Sequence, residues 1–213
     1  MFIRHVMTTN VVTIPSSTSL ADARTIMDAH RIRRLPVVDR ERLVGIVTKD
    51  GLDRVGPSQL TTFSIHELTY LLVKLTVKEA MVRDVMTISP EATWEEGVAL
   101  SQSRKVGSLV VVEDGRVVGI VTTNDFFFNI VNPILGIGVP GTRFHVHDCG
   151  EAAKVAEVLK AISEQGLQVL TMFTMMDPDM GSLTLTMQLD TSDTSRVLET
   201  LGRRGFDVHE RRR

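Results

Sequence analysis

Cysteine, tryptophan and tyrosine are nearly missing from this sequence, with one of each in 213 residues. A lone thiol, Cys149, cannot close an internal disulfide, so the fold must rest on apolar burial, and a reducing compartment such as the cytoplasm fits it. No apolar run approaches the ~20 residues that a membrane-spanning helix needs, and the start Met1-Phe2-Ile3-Arg4-His5 lacks the profile of a signal peptide. An excess of one charge is absent too: 24 basic side chains stand against 26 acidic ones. No broad positive field is therefore expected to draw in DNA, RNA or an anionic membrane. Arg211-Arg212-Arg213 reads as a short solvated tail. What remains is an ordinary soluble composition, 43% apolar and 23% charged, on a chain long enough for two domains.

What is present is a repeat. Shifted by 74 positions, Met7–Gly51 lies over Met81–Asp125 without a gap. Val11, Thr13 and Ile14 fall on Val85, Thr87 and Ile88; Leu35, Val37 and Val38 fall on Leu109, Val111 and Val112. Val44-Gly45-Ile46-Val47-Thr48 falls on Val118-Gly119-Ile120-Val121-Thr122. Each unit reads β-α-β-β-α. A short strand (Val11–Ile14) precedes a helix with apolar Leu20, Ala23, Ile26 and Met27, a spacing near 3.6; Trp94, Val98 and Leu100 give the second copy a less regular face. Two strands, Leu35–Val38 and Leu43–Val47, follow around a tight polar turn, and Thr48 opens a second helix. One such unit buries too little surface to be secure alone, so two are expected to pack with pseudo-twofold symmetry. Between them, Ser64-Ile65-His66-Glu67 reads as a capping box. The first repeat is expected over 1–56, a linker helix over 57–76, and the second repeat over 77–131.

Arg33-Arg34-Leu35-Pro36-Val37-Val38-Asp39 and Gly119-Ile120-Val121-Thr122-Thr123-Asn124-Asp125 resemble the two signature stretches of CBS domains, whose tandem pair, the Bateman module, binds adenosine-containing ligands between the repeats. The resemblance implies a site in which the T-x-x-D helix start of one repeat meets the first strand and R-x-L-P segment of the other. Thr122 and Asp125 share one face of a first helical turn, where a carboxylate can accept from a ribose diol and free N–H groups suit phosphate. The plainer alternative is that the two residues only cap their own helix. Where the second repeat has Thr122 and Asp125, the first has Thr48 and Gly51; where the first has Arg33 and Arg34, the second has Gly107 and Ser108. One pocket is therefore expected to dominate, with Asp125 and Thr122 opposite Arg33 and Arg34 and a base between Val12, Ile32, Pro36 and Ile120. One of the arginines can instead be a surface ion-pairing residue. Two arginines favour AMP, ADP or ATP over the S-adenosylmethionine cation.

Asn132-Pro133 and Gly136-Ile137-Gly138-Val139-Pro140-Gly141 are expected to break the last helix and form a linker over 132–141. Residues 142–213 then read β-α-β-β-α-β: strands Thr142–Val146, Gln168–Met175, Ser182–Leu189 and Phe206–Val208, helices Ala152–Gln165 and Ser192–Arg203. The overall class is α+β. With Gly150 at the first strand-helix turn and Gly166 at the helix end, this part resembles a ferredoxin-like ACT domain. That resemblance implies pairing edge to edge in a homodimer and an effector site near Asp148 and Gly150. Asp148-Cys149-Gly150-Glu151 departs from the family's D-x-P-G, which puts amino-acid binding in doubt. His145, His147 and Cys149 alternate and could face one side as a metal cluster, but strand-end histidines and a small buried thiol are the plainer reading, so no metal site is expected. Met172, Met175, Met176, Met180 and Met187 read as adaptable core and loop packing.

The domain order, with Asp125-Phe126-Phe127-Phe128-Asn129-Ile130-Val131-Asn132-Pro133, resembles the AcuB-type proteins linked to acetoin utilisation, which implies a regulatory role toward a separate target enzyme. No nucleophile, base and orienting group are grouped in the sequence, so a non-enzymatic adenine-nucleotide sensor is expected. Against it stand a structural dimer adaptor with an empty pocket and a small metal-dependent enzyme using His145, His147 and Cys149.

Overall fold

The computed structural model describes residues 1–55 and 74–211; the expected capping box at Ser64–Glu67, most of the linker helix, and Arg212 and Arg213 lie outside them. The chain forms two compact units, Met1–Phe126 and Phe127–Arg213. Among the described residues no helix is long and apolar enough to cross a membrane.

In the N-terminal unit the first repeat contributes α1 (Leu20–His30), β1 (Arg34–Asp39), β2 (Arg42–Thr48) and α2 (Lys49–Val55). The Ser19 hydroxyl caps α1 by accepting from the Asp22 N–H at 3.0 Å, and the 3-4 spacing of Leu20, Ala23 and Met27 buries one stripe. The second repeat contributes β3 (Thr87–Ile88), α3 (Trp94–Arg104), β4 (Ser108–Glu113), β5 (Arg116–Thr122) and α4 (Thr123–Phe126). Thr93 and Glu96 cap α3 reciprocally. β3 runs parallel to β4, which pairs antiparallel with β5. In the first repeat the expected strand Val11–Ile14 shrinks to one parallel bridge, Ile14 to Val37. The next residue is Pro15, which has no N–H to continue the ladder, where the second repeat has Ser89.

The repeats are tied by exchanged segments. The Ile3 N–H donates to Ala92 O at 2.8 Å, and Thr8 and Ile120 exchange two backbone hydrogen bonds at 2.9 and 3.0 Å. Seventy-four positions on, the Val77 N–H donates to Thr18 O at 2.8 Å, and Val82 and Ile46 exchange two bonds at 2.9 Å. Thus the opening segment of each repeat is built into the other one. Val77 joins the first repeat's core of Ile14, Leu20, Ala23, Met27, Leu35, Val37, Val47 and Leu52. Ile3, wholly buried, sits where a side chain at Gly97 would otherwise go. Glycine admits this approach: a β-carbon at Gly45 would come 2.6 Å from the Met81 sulfur, and one at Gly119 would overlap the sulfur of Met7.

The two hairpin turns diverge. Asp114 and Gly115 enter left-handed backbone at φ 50° and 79°, the chemistry a type I′ turn asks for. Arg40 and Glu41 take the same conformation at φ 49° and 64° without a glycine. Left-handed backbone costs an L-residue roughly 1–2 kcal/mol. Replacing Arg40-Glu41 with Asn-Gly is therefore expected to stabilise the protein by about 1 kcal/mol and raise Tm by about 2–4 °C. A calorimetric scan showing no gain would remove the argument from strain.

The C-terminal unit opens with a π-helical turn, Phe127–Val131, and α5 (Asn132–Ile134). Asn132-Pro133 does not break the helical path as expected, because Pro133 lies in a first turn, where its missing N–H needs no partner. The path ends at Leu135, and Gly136 and Gly138 turn left-handed at φ 62° and 82°. β6 (Thr142–Val146), α6 (Ala152–Ser163), β7 (Val169–Met176), β8 (Leu183–Leu189), α7 (Ser195–Arg203) and β9 (Val208–Arg211) follow. The antiparallel sheet has the order β7-β8-β6-β9, so the βαββαβ chain closes in ferredoxin-like fashion. Phe144, Val146, Leu185, Met187 and Leu189 meet Val158, Ala161 and Ile162 of α6 and Val197 and Leu201 of α7. The methionine expectation fails at four positions: Met187 is core, but Met172, Met175, Met176 and Met180 are exposed. Three of them belong to β7, an edge strand.

Candidate functional site

β5 delivers Thr122 to the first turn of α4, and the sequence T-x-x-D closes on itself there. Asp125 Oδ2 accepts from the Thr122 N–H and from the Thr122 hydroxyl, both at 2.7 Å. The Asp125 N–H reaches back to Thr122 Oγ1 at 3.4 Å. This is a capping box with Thr122 as the cap and Asp125 three residues on, and it fixes the carboxylate. The other carboxylate oxygen, Oδ1, has no hydrogen bond among the described residues, and Asp125 is only half-buried. An ionised carboxylate held this way keeps acceptor capacity for hydroxyl groups.

In the first repeat the Gly51 N–H donates to Thr48 Oγ1 at 3.0 Å, and no carboxylate stands at that position. Asp50 turns instead to Arg33 at 2.8 Å, in an ion pair whose side chains are 66% and 70% exposed. Such a pair is worth about 0–1 kcal/mol, so Arg33 is held only loosely. Arg34 crosses to the other repeat: a β-carbon on Gly107 would come 2.7 Å from its Nη2. Gly107 O in turn accepts from the N–H and the hydroxyl of Thr123, each at 3.3 Å, which places Arg34 at the start of α4. Of the two arginines, the structure thus brings Arg34 beside the Thr122–Asp125 turn and leaves Arg33 on its own repeat. Val12 and Ile32 pack on the rim of the first core, Pro36 is buried between Ile46 and Ile14, and half-buried Ile120 holds Thr8.

A cleft of about 730 Å³ lies elsewhere in this unit, between the hairpin turns. Arg40, Arg42, Arg83 and Arg116 line it with Glu41, Asp84 and Asp114, and Arg116 pairs with Glu41 at 2.8 Å. None of the expected site residues lines it. Its only sequence signal was the arginine kept at both 42 and 116.

In the C-terminal unit, the Asp148 carboxylate takes a hydrogen bond from Lys154 at 2.7 Å, which raises the Lys154 pKa above its ordinary value. Gly150 lies against Leu183, where a β-carbon would come 2.6 Å from Leu183 Cδ1. Asp148 and Lys154 line a cleft of about 380 Å³. The trio His145, His147 and Cys149 does not share a face. His145 Nδ1 lies 2.9 Å from Thr186 Oγ1 and His147 Nδ1 lies 3.2 Å from Thr184 Oγ1, whereas Cys149 is buried in the core on the opposite side. Asp148, left-handed at φ 47°, breaks the alternation between them. Burial pushes the Cys149 thiol up, which disfavours the nucleophilic thiolate.

Comparison with known proteins places this geometry. The CBS domain family matches residues 3–55 and 77–132. The CBS domain pair of protein MJ0100, solved in complex with 5-methylthioadenosine and S-adenosyl-L-methionine, is 25% identical; the match covers 62% of this chain and 97% of that one, with a TM-score of 0.51. A protein of Vibrio cholerae described as an acetoin utilization protein (AcuB) is 30% identical, covering 62% and 91%, with a TM-score of 0.52. CBSX2 in complex with AMP is 25% identical, covering 62% and 97%, with a TM-score of 0.50. The chain spans less than half the length of the curated relatives it matches. The two matched stretches together take in half the chain, and each carries one of the symmetry-related halves of the N-terminal unit: the chain belongs to the CBS-domain family and bears a tandem CBS pair.

Proposed function

We propose that this chain is a non-catalytic regulatory sensor that takes AMP, ADP or ATP between its two CBS repeats, at the Thr122–Asp125 helix start. One observation carries the reading: the Asp125 carboxylate is fixed by its own turn through one oxygen, while the guanidinium of Arg34 arrives beside that turn from the opposite repeat. The free oxygen suits a ribose diol and Arg34 suits a phosphate. The AMP complex of CBSX2 and the S-adenosylmethionine complex of MJ0100 support an adenosyl ligand; Arg34 favours the phosphorylated one, since it would repel a sulfonium. A C-terminal ACT-type domain that pairs two copies of the chain completes the proposal, supported by the βαββαβ order and by the exposed methionines along edge strand β7. The AcuB likeness supports a regulatory role in acetoin utilisation.

Thermal unfolding with each nucleotide tests the site. A ligand at 100 times its Kd adds ~2.7 kcal/mol, a shift of several degrees. Asp125→Ala is expected to abolish the shift and Asp50→Ala to leave it. Arg34→Ala should weaken AMP roughly ten- to a hundredfold, the worth of one charged hydrogen bond. A competing reading has a specific observation behind it: the capping box alone accounts for Thr122 and Asp125, as an adaptor with an empty pocket would require. Melting curves unmoved by AMP, ADP, ATP and S-adenosylmethionine would establish that reading instead.

A further inference from the structure

Strands β6 and β9 pair antiparallel, with His145 opposite His209 and Val146 opposite Val208, and the His147 N–H extends the ladder to Asp207 O at 2.9 Å. Strand alternation buries Phe144 and Val146 on the helix side, so His147, Asp207 and His209 come out on the other face. His147 stands directly across from Asp207 and diagonally from His209, with its ring edge-on to that of His209 at 5.4 Å. One donor atom from each of the three side chains lies within 4.8 Å of the others.

We propose that His147, Asp207 and His209 form a binding site for a divalent transition-metal ion of the zinc, cobalt or nickel type. Two imidazoles and a carboxylate are a set such ions accept, with a position left for water. The surroundings of His147 support this beyond the cluster itself. Its Nδ1 faces the hydroxyl of buried Thr184 at 3.2 Å, with the Asp177 carboxylate at 3.8 Å behind, which sets the ring and leaves Nε2 as the atom for a metal. A partner that orients a ligating imidazole through its other nitrogen, as the Thr184 hydroxyl does here, is the usual second layer of a metal site. His209 Nε2 and Asp207 Oδ1 already lie 2.9 Å apart, so a metal would take the place of their shared proton. The cleft of about 380 Å³ lined by His147 and Asp207 gives a further ligand room to enter. The site departs from the sequence expectation of no metal, and only His147 belongs to the trio weighed there.

Titration of chelator-treated full-length protein with zinc chloride, followed by calorimetry, is expected to show one tight equivalent, and cobalt(II) should develop visible absorption at the same stoichiometry. Asp207→Asn, which keeps the strand intact, and His209→Ala should each weaken zinc by at least about tenfold. Thr184→Val, which removes only the hydroxyl that sets the His147 ring, should cost about 10–100-fold. His30→Ala, on helix α1, should change nothing. Zinc affinity unaltered in Asp207→Asn and His209→Ala, or no binding at millimolar zinc, would overturn the assignment.

Discussion

Gly119→Val is expected to destabilise the N-terminal unit by about 3 kcal/mol, the upper part of the range for forcing extra carbon into a filled space. Any β-carbon there meets the Met7 sulfur, and Thr8 O lies 3.3 Å from the same point. The Met7 side chain would have to leave its place and Thr8 O to give way, which strains the two backbone bonds between Thr8 and Ile120. Urea denaturation should show a lower midpoint with little change in slope. Because the repeats obey the same geometry, Gly45→Val should produce a matching loss through Met81 and Val82. Adding Met7→Ala to Gly119→Val should return part of the loss, a positive coupling in a double-mutant cycle. An unchanged midpoint in both valine variants would mean that the exchanged segments leave their places at little cost. The same variant also bears on the nucleotide site, since Ile120 is both a partner of Thr8 and an expected wall of the pocket. AMP should bind Gly119→Val more weakly than the parent.

Phe144→Ala is expected to cost the C-terminal unit about 3–5 kcal/mol. The ring is wholly buried beside Val146, Leu185 and Met187 and beneath both helices, so its removal leaves a cavity that four surrounding elements must collapse to fill. His145 is carried by the same strand and His147 follows its end, both on the opposite face. If zinc binds as proposed, zinc at 100 times its Kd should return ~2.7 kcal/mol of that loss, and urea curves with and without zinc would show it. A loss below about 1 kcal/mol would contradict the core assignment.

Much of the N-terminal fold could be read from the sequence because one structural solution is written there twice. Val44–Thr48 and Val118–Thr122 both alternate, both contain a glycine and both end in a hydroxyl that caps the next helix. The C-terminal elements were legible for a different reason: the period changes between 3.6 in Val155–Ile162 and 2 in Leu183–Leu189. Side-chain partnerships were not legible. Nothing in Arg33-Arg34 says that the first, just before β1, turns to Asp50 and the second, the first residue of β1, to Gly107, since the choice depends on which repeat lies nearer. Cys149 is the small buried thiol expected, but the reason it parts from the histidines was hidden, because one left-handed residue, Asp148, ends the alternation. His209 and Asp207 could not be joined to His147 without the register of β9, which begins two residues later than the expected strand. The cleft between the hairpin turns was missed for a similar reason, as its walls come from turns 74 residues apart.

The swapped opening segments carry a consequence for how the module can assemble. Each half of the duplication holds a piece that completes its sibling, so neither half is whole alone. Fragments 1–55 and 74–126, produced separately, should therefore recombine on mixing. By the same logic two molecules could trade these pieces, giving an interlocked pair whose abundance rises with concentration.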